Sequence, residues 1–277
     1  MLTRPPAVAG RFYPEAPDVL EQMVERLLDG AASTPAAPER VAGILVPHAG
    51  YPYSGPVAAH AFARVRGKRA GRVVLLGRSH HFAFPGASVV CEGAFETPLG
   101  LLPIDESFAR KLASVTAAAP ANVHDQEHAL EVELPFLQVA LGEVPIVPVL
   151  FGSEPSPLHA RFGKQLASLL NPDDLVLVST DLSHYLANSA AHTQDRASLN
   201  GLMTQDLESF EDGVITGAYA LCGATAVLAG MACASARGAT EWRLLDYRTS
   251  GDTCGDTSRV VGYAAVSFEY PASRMEN

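Results

Sequence analysis

The sequence has no unbroken run of lysine and arginine, no Cys-x-x-Cys pair, no apolar stretch behind its first residues and no internal repeat. Without such a run, the electrostatic footprint expected of a nucleic-acid binder is missing. Thirty acidic residues against twenty basic ones give a formal charge of −10. That balance aids solubility and says little about fold. Four cysteines, Cys91, Cys222, Cys233 and Cys254, are scattered over 277 residues and do not read as a disulfide framework. The opening Met1-Leu-Thr-Arg-Pro-Pro-Ala-Val lacks the apolar core of a secretory signal, so reduced thiols and a cytoplasmic setting are expected. No linker or low-complexity block divides the chain. One domain over 1–277, with its core over about 4–270, is the simpler expectation.

One uncharged stretch, 218–236, approaches the roughly 20 residues that a membrane span requires. It consists mostly of Ala, Gly, Cys, Thr and Ser, and it lacks Ile and Phe altogether. A buried core helix is the better reading, and no membrane association is expected.

What the sequence does contain is a packed-core composition, 48% hydrophobic and 18% charged. Asp18-Val-Leu-Glu21 supplies an N-cap and a reciprocal acid for an amphipathic helix over 19–28. An Ala/Pro/Ser loop fits 30–38. Apolar runs over 41–46, 72–77 and 175–179 read as buried strands. Further strands fit 87–91, 99–103, 144–151, 242–247 and 260–269. Helices fit 56–65, 106–114, 127–141, 158–170, 190–203 and 217–236. Strands alternating with helices predict a layered α/β/α architecture around a central, mostly parallel or mixed sheet.

Three of the strand runs pass directly into polar loops bearing histidine: His48, then His80-His81, then Asp181 with His184. In open α/β sheets ligands bind at the carboxyl ends of the strands. If these strands are parallel neighbours, the three loops open onto one crevice. His80 and His81 point to opposite sides in extended backbone, so one of them faces a given ion. Imidazole suits zinc, copper and iron(II), and an anionic ligand often completes such a set. Asp181, Glu127, Asp252, Asp256 and a cysteine thiolate are all available, and the sequence does not choose among them.

Each residue also has a plainer reading. A lone histidine after a strand is more often a hydrogen-bonded loop residue; three such loops bring the two readings level. Asp181 can equally cap a helix starting near His184. His124 is the imidazole of the 124–131 stretch aimed at the crevice, with His128 and Glu131 solvated. Cys222 and Cys233 read as core thiols of the small-residue helix. Cys254 sits in the polar loop Ser250-Gly-Asp-Thr-Cys-Gly-Asp-Thr257, where packing gives no reason for a cysteine.

Pro47-His-Ala-Gly-Tyr51, Gly77-Arg-Ser-His-His81, Asp125-Gln-Glu-His128 with Leu134-Pro135, Ser179-Thr-Asp-Leu-Ser-His184 and Thr253-Cys254 occur in this order. With Arg4-Pro-Pro-Ala-Val-Ala-Gly-Arg-Phe-Tyr-Pro14, the set resembles the Memo family. Its bacterial and archaeal members are labelled AmmeMemoRadiSam system protein B. The resemblance implies a fold similar to class III extradiol dioxygenases, which bind iron(II) through two histidines and a carboxylate.

Memo proteins are similar but carry cysteine in place of that carboxylate. By this likeness His48, His80 and Cys254 would hold the metal. His184 with Asp181 would serve as the catalytic pair, and His81, His124 and Tyr51 would bind substrate. The likeness implies iron(II) first, with copper or zinc as alternatives, because thiolate is the softer ligand. It implies either a metal-dependent oxidoreductase acting on a small molecule or a non-catalytic metal- or phosphopeptide-binding protein. Phe12 stands where animal members carry tryptophan, which weakens the peptide reading. The label also implies a functional link to an AMMECR-type protein and a radical-SAM enzyme.

Overall fold

The computed structural model describes residues 2–31, 38–116 and 120–272. Most of the expected 30–38 loop lies outside these residues. The elements in chain order begin with β1 (Thr3–Arg4), α1 (Pro17–Ala31), β2 (Val41–Val46), α2 (Tyr51–Val65) and β3 (Val73–Arg78). β4 (Phe84–Val89), β5 (Ala94–Thr97), β6 (Gly100–Pro103), α3 (Glu106–Ala113), α4 (Leu134–Leu141), β7 (Ile146–Gly152) and α5 (Pro157–Leu169) follow. The last third supplies β8 (Leu175–Ser179), β9 (His184–Leu186), α6 (Asn188–Met203), α7 (Leu207–Ile215), α8 (Ala224–Ala236), β10 (Glu241–Thr249), α9 (Ser250–Cys254) and β11 (Val260–Glu269).

The main sheet runs β10-β11-β2-β8-β3-β7-β4, with β9 pairing β11 off this path. β2, β8, β3 and β7 are mutually parallel at its centre. β11 and β4 join antiparallel on either side, so the sheet is mixed. β2, β3, β7 and β8 are buried almost throughout, which is why β2, β3 and β8 read as unbroken apolar runs rather than alternating ones, while Pro148 interrupts the run of β7. A separate small sheet, β1-β5-β6, lies beside it.

Helices cover both faces, and successive residues of β8 show it. Ser179 reaches Glu133 at the start of α4, while Val178, one position earlier, lies against Gly230 of α8. Gly163 of α5 approaches the Ala229 carbonyl of α8 so closely that a Cβ would collide with it. The small-residue composition of α8 is therefore a packing requirement. No helix among the described residues is long and apolar enough to cross a membrane.

Some expected boundaries shift, and the shifts place the site. The 217–236 helix starts only at Ala224, because the preceding amides bond elsewhere. Ala220 N donates to Ser198 Oγ, Cys222 N to the Asp181 carbonyl and Gly223 N to Thr180 Oγ1. The expected 127–141 helix is divided into a 3-10 turn at Glu131–Glu133 and then α4. Pro135, which has no amide to donate, falls in the first turn of α4. No helix starts at Asp181; the chain crosses instead into β9, where Tyr185 takes a φ of 61°.

Candidate metal centre

Strand order brings the histidine loops together. β8 lies between β2 and β3, so the loops after all three strands share one end of the sheet. His48 follows β2, His80 follows β3, and His128 arrives from the loop before the 3-10 turn. One ligand atom from each of these three lies within 4.8 Å of the others. The ring centroids of His48 and His80 are 5.1 Å apart, those of His48 and His128 5.5 Å, and those of His80 and His128 4.6 Å.

Each ring is aimed from behind. His48 Nδ1 lies 2.7 Å from Ser179 Oγ, and that hydroxyl donates to the Ala129 carbonyl at 2.6 Å. With its one hydrogen committed, Ser179 accepts from His48 Nδ1–H, and the Nε2 lone pair points into the cluster. His80 Nδ1 lies 2.8 Å from Glu127 Oε1, and the His80 amide donates to Glu127 Oε2. Glu127 Oε1 also comes within 3.4 Å of His128 Nδ1. A carboxylate behind an imidazole fixes its tautomer and raises its basicity toward a cation.

The protonation states suit a cation. Burial, followed by the neighbouring His80 charge, lowers His48 to about 3. Burial and the His48 charge likewise lower His128 to about 3. Both rings are therefore neutral, with lone pairs available. Burial works to raise Glu127, but its hydrogen bonds to His80 outweigh this and hold the carboxyl at about 2. The donor set fits a first-row transition metal. Three imidazoles converge, and two of them are backed by one ionised carboxylate.

The structure places the remaining expected residues differently. Cys254 is exposed at the end of α9 and does not belong to the histidine group. The cysteine that meets the cluster is Cys222, whose Sγ lies 3.2 Å from His48 Nε2. Burial and the Asp181 charge push its thiol up to about 12, so it presents S–H to the His48 lone pair. Neither Cys222 nor His128 carried an expected role. His128 read as solvated, and Cys222 was absorbed into an expected helix. Gly223, beside Cys222, has no room for a Cβ against the Ser179 carbonyl and Thr180, a close approach that shows only in the folded chain.

Asp181 is buried and accepts from the His48 amide at 2.9 Å. Burial raises it to about 6, with the His184 charge and the His48 amide working the other way. It does not hydrogen-bond His184. The ring of His184 is oriented instead by the Leu182 carbonyl, 2.9 Å from Nδ1, which leaves Nε2 as an acceptor.

His184 and Cys222 line a cavity of about 680 Å³ with Arg78, Leu182, Val214 and Tyr219. His81 is exposed beside the cluster. His124 is not in this crevice. It is buried beside Phe95, with Nε2 3.3 Å from the Ser88 carbonyl. Tyr51 is also buried, donating to the Val132 carbonyl and packed against Tyr13 and Phe136. Its hydroxyl is committed to the core rather than to a ligand.

Fold and site together define an α/β protein whose parallel strands deliver a group of imidazoles to their carboxyl ends. Residues 4–267 match the family described as Memo-like protein, and the chain belongs to that family. A MEMO1 family protein of Nitrosopumilus maritimus (strain SCM1) is 32% identical over 274 residues, covering 96% of this chain and 100% of its own. One from Aquifex aeolicus (strain VF5) is 34% identical over 271 residues, covering 97% and 100%. The crystal structure of uncharacterized protein JW3007 from Escherichia coli K12 is similar in fold. It matches with a TM-score of 0.55 at 14% identity, over 83% of this chain and 100% of that one.

Proposed function

We propose that this protein binds a transition metal at His48, His80 and His128 and uses it on a small molecule held in the adjoining cavity. The observation that carries the reading is the convergence of three ligand atoms within 4.8 Å, from three separate loops at one end of the sheet. Iron(II) is the ion proposed first, with copper and zinc next, since imidazole suits all three. Such an ion would supply Lewis acidity and, for iron or copper, one-electron chemistry.

The chain's own contributions follow from its geometry. Leu182, Val214 and Tyr219 provide an apolar wall for the body of a substrate. His184, with Nδ1 held by the Leu182 carbonyl, offers Nε2 as a base to a substrate hydroxyl or thiol at the cavity edge. A general base of this kind contributes typically 10²–10⁴-fold in rate.

The Cys222 sulfur beside His48 supports a second reading, in which the thiol becomes a fourth donor and the site only binds metal. Metal titration of anaerobically purified protein, with oxygen-uptake assays over a panel of catechols and thiols, separates the two. Metal uptake that is lost in His48→Ala/His80→Ala/His128→Ala and accompanied by turnover supports the first reading. Uptake that depends on Cys222 and brings no turnover supports the second. Wild-type protein that takes up no transition metal would sink both. Cys254→Ser is expected to bind metal as the wild type does.

A further inference from the structure

Glu133 is completely buried at the start of α4, close behind His48. Its Oε1 lies 3.2 Å from Ser179 Oγ, and its Oε2 has no hydrogen-bond partner. No ion pair to it is formed among the described residues. An ionised carboxylate in this position would be left with one long hydrogen bond and an orphaned charged oxygen, which buried charges do not tolerate.

The hydrogens around Ser179 Oγ can be counted. Three groups surround that oxygen: the Ala129 carbonyl at 2.6 Å, His48 Nδ1 at 2.7 Å and Glu133 Oε1 at 3.2 Å. The carbonyl can only accept, so it takes the single hydroxyl hydrogen. The other two neighbours must then donate. If Ser179 turned its hydrogen to an ionised Glu133, two oxygens would face each other at 2.6 Å with no proton between them. One assignment satisfies all three contacts: hydrogen on His48 Nδ1 and hydrogen on Glu133 Oε1.

We infer that Glu133 is a neutral carboxylic acid in the folded protein at neutral pH and a positioning residue for His48. Through Ser179 it locks the imidazole as its Nδ1–H tautomer and turns the Nε2 lone pair toward Cys222 and the other histidines. The groups facing it agree. Asp181 brings negative charge from the β8 loop, and from α2 the buried Tyr51 brings a hydroxyl already donated to the Val132 carbonyl. Burial and the Asp181 charge both hold the proton on Glu133. The orphaned Oε2 is then the carbonyl oxygen of a neutral acid, a far cheaper group to leave without a partner.

Infrared spectroscopy of chelator-treated, metal-free protein tests this, so the outcome does not depend on the proposed metal chemistry. At neutral pH the wild type should show the carbonyl stretch of a protonated carboxylic acid above the amide I envelope. The band should move when glutamate is carboxyl-labelled with ¹³C and be missing from Glu133→Gln. The label separates Glu133 from Asp181 and needs only wild-type protein, so it stands even if the variant fails to fold. Nitrogen NMR of the His48 ring should show the Nδ1–H form in wild type and in Glu133→Gln, whose amide can donate to the same oxygen. Ser179→Ala should lose that fixed tautomer. A wild-type spectrum without a label-sensitive acid band overturns the protonation state. A His48 tautomer unmoved by Ser179→Ala overturns the positioning role.

Discussion

Glu127 reaches two of the three imidazoles, with Oε1 2.8 Å from His80 Nδ1 and 3.4 Å from His128 Nδ1. It also accepts from the amides of His80 and Ala129. Glu127→Gln keeps the size but puts a donating amide where both oxygens now accept. Zinc affinity, measured by competition with a chelator, should fall about 10–100-fold; an unchanged affinity would show that the carboxylate does not tune the rings. His124 gives a residue-level prediction of another kind. Burial lowers it from the ordinary 6.5 to about 4. The unfolded chain gains this proton below pH 6.5 while the folded one refuses it, so the contribution to stability is full above 6.5 and lost as pH falls toward 4. By pH 5 the loss amounts to about 2 kcal/mol. His124→Gln should flatten the stability-versus-pH curve by that amount between pH 7 and pH 5 in urea titrations, and a parallel curve would refute the assignment.

At the scale of elements, α5 and α8 pack through glycine and alanine, with Gly163 set against the Ala229 backbone. Gly163→Ala has no flexible side chain to push aside and must separate the helices. The expected loss is about 1–3 kcal/mol in unfolding free energy, and a neutral result would mean that this contact is looser than it stands. The elements also show how much the sequence disclosed. The runs 41–46 and 175–179 coincide with β2 and β8 because strands buried on both faces leave a continuous apolar trace. That trace placed His48, His80 and Asp181 at one end of the sheet. His128 and Cys222 were hidden for a physical reason. Local pattern extends helices over both, but side-chain bonds capture the amides those helices would need. Glu127 takes the Ala129 amide, and Thr180 takes the Gly223 amide. Cys254 lies exposed at the end of α9, outside the grouped imidazoles, whereas the crossover before α8 brings Cys222 to His48.

For the molecule as a whole, the first turn of chain is tied to the site loop. Arg4 donates to Glu131 Oε2 and to the carbonyls of His124 and Glu127, each at 2.7 Å. Glu131 in return accepts from the amides of Ala7 and Val8 and from the Tyr13 hydroxyl. Removing one partner of a buried ion pair costs about 3–5 kcal/mol. Arg4→Ala should lower the unfolding free energy by that order and weaken metal uptake with it, since the loop carrying Glu127 and His128 loses its clamp. Uptake retained at full strength in the folded variant would uncouple the two. β11 imposes a further condition. It lies between β10 and β2, and its Gly262 exchanges backbone hydrogen bonds with Leu182 and Ser183, beside Asp181. During synthesis the histidines emerge long before this strand does. The pairing that fixes the Leu182–Ser183 crossover beside Asp181 therefore forms only once residues 260–269 have joined the sheet.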